Sequence, residues 1–298
     1  MRYYFVLLLK GIAMGIANII PGVSGGTIAL ITNIYEELIL SLKSFDITSL
    51  KLLFSFKIEE FIKHTNLYFI LSVFGGALIS VFGIAKLLES IFESHQVLVW
   101  SFFFGLILAS VYYIGLKIKV WNLKTILYFI LGTLIAVSIT FISKQEVENT
   151  NLIYVFLCGI VSIVGMILPG LSGSFILILM GNYELLMVSS INGLWAADMS
   201  SYILLSTFVI GSIVGLMLFS HIIAWLFKNF KDQLLSLLTG FVLGSLLIIW
   251  PWKDINVNNV TTNWYLPELN THTIFAFILM LIGYMIVVLI EKISSKYN

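Results

Sequence analysis

The chain has 298 residues, 60% of them hydrophobic and only 10% charged, with a mean hydropathy of +1.06; soluble domains carry about 25% charged residues, so this is an integral membrane protein. A net charge of +1 is too small for a nucleic-acid-binding surface, and one cysteine, Cys158, excludes a disulfide framework or a thiolate metal cluster. Cys158 is read as packing.

The N-terminus, MRYYFVLLLKGIAMGIANII, starts basic, but Lys10 interrupts the apolar run and no small-residue cleavage site follows. It reads as a retained membrane segment. Residues 5–40 are apolar but are cut at PGVSGG, Pro21 to Gly26. An arm such as Gly11 to Ile20 reaches only about half of a bilayer core of about 30 Å. The segment is therefore expected to be a helical hairpin that enters and returns. The loop from Lys43 to Lys63 carries both signs, and its Leu, Phe and Ile spacing predicts an amphipathic surface helix.

Spans are expected at 66–88, 97–116 and 124–142, then, after a second cut segment at 152–190 broken at PGLSGS, at 202–227, 234–250 and 273–290. Lys86 and Trp100 read as interfacial anchors, and Trp250 and Trp252 fit an aromatic belt. The loop PWKDINVNNVTTNWYLPELNTH is polar, is expected to be irregular and is assigned no chemistry.

If each cut segment is a hairpin, 13 basic residues, among them Arg2, Lys10, Lys57, Lys117, Lys231 and Lys292, fall on one side with both termini, and Lys86, Lys144 and Lys253 fall on the other. That asymmetry predicts cytoplasmic termini.

PGVSGGTIALITNIYE (Pro21 to Glu36) lies over PGLSGSFILILMGNYE (Pro169 to Glu184) at an offset of 148, with seven of 16 positions identical. Pro, Gly, Ser, Tyr and Glu are uncommon in membranes, so the match indicates duplication. It continues as FGGALISVFG (Phe74 to Gly83) over IGSIVGLMLF (Ile210 to Phe219), and GLILAS (Gly105 to Ser110) over GFVLGS (Gly240 to Ser245). The expected fold is an all-α membrane protein of two repeats, 1–148 and 149–298, each a re-entrant hairpin plus three transmembrane helices. Three crossings is odd, so the second unit is expected to be inverted, which lets the two Pro-Gly turns meet near the midplane.

Backbone groups freed at Pro21 and Pro169 are tolerated only where protein or a water-filled cavity meets them. With Gly22, Ser24, Gly25, Gly26 and Thr27 on one side and Gly170, Ser172, Gly173 and Ser174 on the other, two donor-rich cups for an anion are expected, phosphate being the natural guest. Glu36 and Glu184 occupy matching positions, each either a coupling carboxylate at depth or a solvated interfacial one. Asn18 and Asn182 either line the cavity or cap freed carbonyls, and His221 is either a helix–helix hydrogen bond or a proton relay. Asn33 stands where the second motif has Gly181, which predicts hairpins that are not interchangeable.

These paired motifs, with their spacing and surrounding spans, resemble the polyprenyl-phosphate transporter family over essentially the whole chain. The resemblance implies a carrier that returns undecaprenyl phosphate from the outer to the cytoplasmic leaflet for reuse in cell-envelope synthesis. It implies a multi-pass protein of the cytoplasmic membrane with no cofactor and no metal. It also carries over the two Pro-Gly-x-Ser-Gly motifs as substrate-binding, with Tyr35, Glu36, Tyr183 and Glu184 closing each hairpin; proton or cation coupling through Glu36 or Glu184 is a separate hypothesis. The competing classes are an undecaprenyl pyrophosphate phosphatase-like enzyme and an ion-coupled small-anion carrier. The phosphatase signature is similar to PGVSGG but has an Arg where this chain has Gly25, and the one arginine present is Arg2. The carboxylates of ESIFE, Glu89 to Glu93, beside His95 would be its nearest acid pair.

Overall fold

The computed structural model describes residues 2–20, 23–142, 147–256, 261–268 and 270–294. Pro21, Gly22, Lys144 and the side chains of Lys86, Glu89 and Glu93 lie outside the described residues. In chain order the helices are α1 (Arg2–Ile19), α2 (Gly25–Ile31), α3 (Tyr35–Lys43), α4 (Ile47–Phe54), α5 (Ile58–Thr65), α6 (Leu67–Ser94), α7 (Gln96–Gly115) and α8 (Leu123–Thr140). They continue as α9 (Leu152–Ile167), α10 (Gly173–Leu179), a π-helical turn (Glu184–Ser189), α11 (Ser190–Trp195), α12 (Met199–Asn229), α13 (Lys231–Ser245) and α14 (Thr271–Ser294). Five of these are long and apolar enough to cross a membrane, or seven if each of two bent pairs counts as one span. The bent pairs are α5 with α6, at 63°, and α10 with the segment Glu184–Trp195, at 120°.

Polar side chains start several helices by taking up amide hydrogens that would otherwise have no partner. Asp46 accepts from the Ser49 amide at α4, Asn122 and Thr125 form a reciprocal capping box at α8, and Asp198 accepts from Ser200 and Ser201 at α12. The predicted surface helix is two helices, α4 and α5, because the chain turns at Phe56 with φ 57°. Ile47, Phe54 and Phe56 are left strongly exposed there.

The polar loop expected to be irregular contains an antiparallel ribbon, β1 (Lys253–Asn256) with β2 (Thr261–Trp264), Lys253 facing Trp264 in register. Its alternating Ile, Thr and Trp suit a strand, a period hidden in the sequence by the surrounding asparagines. The predicted 234–250 span is a shorter helix, α13, ending at Ser245, followed by turns. Trp100 and Trp252, expected at the lipid interface, are buried at 2% and 5% exposure.

The helices pack in four principal pairs, α1 on α6, α9 on α12, α8 on α13 and α7 on α14. Each pair closes on glycine. A Cβ at Gly11 would fall 2.1 Å from the carbonyl oxygen of Val73, and one at Gly159 would fall 2.3 Å from that of Phe208. One at Gly105 would meet Met280 at 1.9 Å, and one at Gly240 would meet Phe129 at 2.1 Å. No side chain fits these crossings, so the backbones touch, as small residues allow in membrane helices.

Candidate functional site

Each broken segment leaves a long arm and a short returning one. The long arms α1 and α9 have 18 and 16 residues, while α2 and α10 have seven each, roughly 10 Å of helix at 1.5 Å per residue. The short helices fold back on their own long arms. Both end in the same turn: Asn33 and Gly181 have φ of 59° and 73°. In each, the next residue donates back, Ile34 to Ala29 and Asn182 to Leu177. Asn33 and Gly181 thus share one backbone conformation although their side chains differ. Asparagine and glycine are the residues that tolerate a left-handed helix terminus.

The two turns interlock. Ser24 Oγ donates to the carbonyl of Leu168 at 3.0 Å, and the Gly170 amide donates to Thr27 Oγ1 at 2.9 Å. Ser24 and Thr27 are fully buried. Ser24 also starts α2 in extended conformation, accepting from the Gly26 amide, and Asn18 Oδ1 accepts from the Gly25 amide at 2.7 Å. Gly26 lies so close that a Cβ would fall 2.3 Å from the Ile167 carbonyl oxygen, and Gly170, at φ 86°, runs against Phe241 of α13. The Ser24 hydroxyl and the amides of Gly25, Gly26 and Thr27 are therefore already bonded within and between the turns.

The second motif is in a different condition. Ser172 makes no capping bond to α10; its hydroxyl pairs with Ser174 at 2.7 Å. Both face a cavity of about 280 Å³ lined also by Asn18, Ser162, Gly173 and Ser212, with Met166, Leu177, Met187 and Phe208 as its apolar wall. Because Asn18 Oδ1 accepts from an amide, its Nδ2 is the part left to donate. Ser162 and Ser212 already donate to the carbonyls of Gly159 and Phe208, so Ser172, Ser174 and the Asn18 amide are the polar groups left among an apolar lining, a mixture that suits an anionic headgroup carrying an apolar chain. Pro169, the second helix breaker, immediately precedes Gly170.

The remaining candidates are elsewhere. Glu36 is half-buried and ion-paired with Lys231 at 2.6 Å; Glu184 is exposed at the start of the π-helical turn. Tyr35 is buried against Phe227, its hydroxyl without a partner among the described residues. Tyr183 is half-buried just before the π-helical turn. Asn182 is fully buried and bonds both backbone groups of Asn149. His221 bonds the Met217 carbonyl of its own helix.

Two lysines carry no signal in the sequence beyond their charge. Lys10 Nζ donates to the Thr32 carbonyl at 2.7 Å, and Lys117 Nζ to Leu30 and to the side chain of Asn33. They hold the carbonyl end of α2, where a cation complements the helix dipole. At the matching end of α10 a neutral group does the job: Tyr154 Oη donates to Met180 O at 2.7 Å. Nothing in the sequence joins Lys117 to residues more than 80 positions earlier, so this pairing required the fold.

Residues 14–264 match the family model described as undecaprenyl phosphate translocase-like. A curated protein of Vibrio cholerae named polyprenyl-phosphate transporter is 40% identical over 251 residues, covering 84% of this chain and 79% of that protein. One of Staphylococcus aureus with the same name is 26% identical over 270 residues, covering 86% and 89%. No solved structure matches the chain.

Proposed function

The chain belongs to the undecaprenyl phosphate translocase-like family, and from that premise we propose that it is a non-enzymatic carrier that moves a polyprenyl phosphate across the cytoplasmic membrane. The headgroup is bound in the cavity beside the interlocked Pro-Gly turns, and the lipid is returned from the outer to the cytoplasmic leaflet for reuse. The observation that carries the reading is the interlock of Ser24 and Thr27 with Leu168 and Gly170 beside the hydroxyl-lined cavity. One motif is closed and the other open to a guest, as an alternating site requires.

Two inverted repeats are the architecture this reading needs. What supports them is that the glycine crossings exchange residue for residue: Gly11 on Val73 with Gly159 on Phe208, and Gly105 on Met280 with Gly240 on Phe129. The offsets are 148 in the hairpins, 135 in the following two helices and 151 in the last. Gly76 corresponds to Gly211 by this register, one residue from the sequence alignment, which had matched Gly75. A Cβ added at Gly75 would meet nothing within 4 Å. With Lys10 and Lys117 at the cytoplasmic interface, the turn ten residues on from Lys10 is about 15 Å deep, near the middle of a core of about 30 Å. The lysine-capped hairpin end then faces the cytoplasm and the tyrosine-capped end faces out, in keeping with the positive-inside rule.

The test is reconstitution in vesicles with a leaflet-specific assay for polyprenyl phosphate, and phosphate release from the pyrophosphate in parallel. Movement without release is expected. Release would establish an enzyme and overturn the proposal, as would flux of free phosphate with no movement of the lipid.

A further inference from the structure

A second group of donors lies one helix length from the Lys117 end of α7. Trp100, near the start of α7, is buried, and its indole Nε1 has no hydrogen-bond partner among the described residues. Lys253, the first residue of β1, places its ammonium over that indole, 4.1 Å from the ring centre. Its described hydrogen bond is to the Ile248 carbonyl, and no carboxylate pairs with it among the described residues. The contrast with nearby indoles is informative: Trp250 Nε1 donates to Tyr265 O and Trp264 Nε1 to Leu247 O, both at 3.1 Å. Phe92 packs edge-on against Trp100.

An unsatisfied buried N–H is destabilising, and a part-buried cation without a counter-ion adds a further cost. Burial pushes the Lys253 ammonium down to about 7, so an anion arriving beside it would restore its full charge. Two donors on adjacent side chains, with no acceptor shared between them among the described residues, suit a multi-oxygen anion. Lysine serves phosphate well as a point charge, and the aromatic rings around it suit an apolar substituent.

We propose that Lys253 and Trp100 form a docking site for a phosphate monoester at the end of α7 remote from the chain termini. Being on the side assigned above to the cell exterior, it receives the headgroup before the Pro-Gly turns do. The lipid identity of that phosphate rests on the polyprenyl-phosphate reading.

The experiment uses the full chain in nanodiscs and calorimetric binding of farnesyl phosphate, farnesol and inorganic phosphate. Lys253→Gln is expected to weaken farnesyl phosphate about tenfold or more, the loss of one charge-assisted hydrogen bond, with farnesol unchanged and Lys253→Arg close to wild type. Unchanged affinity in Lys253→Gln, or equal loss of farnesol, would overturn the site. Should that variant fail to fold, Trp100→Phe decides, since it keeps a ring and removes the N–H; unaltered phosphate binding there overturns the proposal. Competition by inorganic phosphate at comparable concentration keeps the anion site and assigns it to free phosphate, whereas absence of competition assigns it to the lipid headgroup. Wild-type binding without vesicle transport sinks the transporter reading and leaves the site standing. Transport with an unaffected Lys253→Gln sinks the site alone.

Discussion

Thr27 is the side chain on which the closed turn depends most directly. Its hydroxyl accepts the Gly170 amide in a fully buried setting, so Thr27→Val keeps the shape and orphans that amide. A loss of about 1–3 kcal/mol is expected, read as a lower thermal midpoint in detergent. Ser24→Leu and Ser172→Leu should insert normally yet stop lipid-phosphate movement, the first by forcing the turns apart and the second by filling the cavity; normal carrier recovery in both would refute the site. Glu36 is different in kind. Its pair with Lys231 is about half exposed on both sides, so Glu36→Gln should change stability by no more than about 1 kcal/mol. If Glu36 also exchanges protons with the transport cycle, the same variant loses its response to a pH gradient; flux that ignores the gradient in both proteins removes the coupling idea.

At the level of helices, the crossings decide what the membrane core tolerates. Gly11→Leu and Gly159→Leu each drive a side chain into a backbone carbonyl and should abolish folded protein on size-exclusion chromatography, whereas Gly75→Leu, with open space around it, should not. Equal behaviour of Gly11 and Gly75 variants would remove the assigned register. Much of this scale was legible in the sequence. The apolar run is broken in sequence where α1 and α9 end, and Asn33 and Gly181, which the 148-residue offset aligns, share a positive φ. What escaped was length and partner choice. Apolar residues mark a helix without saying that α1 outruns α2, and Lys10 looks the same in sequence whether it snorkels to the interface or caps the carbonyl end of a neighbouring helix. Trp100 was misplaced for a related reason: tryptophan near a span end satisfies the belt rule and a buried contact equally well.

For the whole molecule, the predicted orientation can be checked with Cys158→Ala as background, since that cysteine is buried. Single cysteines at Lys57 and Glu148 should label from opposite faces of sealed vesicles, Lys57 from the cytoplasmic side. Labelling from one face would overturn the topology. The interlock carries a last consequence through the inverted-repeat reading. If exchanging the roles of the halves generates the opposite-facing conformation, the residue standing for Thr27 in that second state is Phe175, 148 positions on, and phenylalanine has no hydroxyl to receive an amide. The two faces of the cycle are then energetically unequal, and the unloaded carrier rests with its first turn shut. Phe175→Thr would level that tilt and shift the resting population toward the other opening.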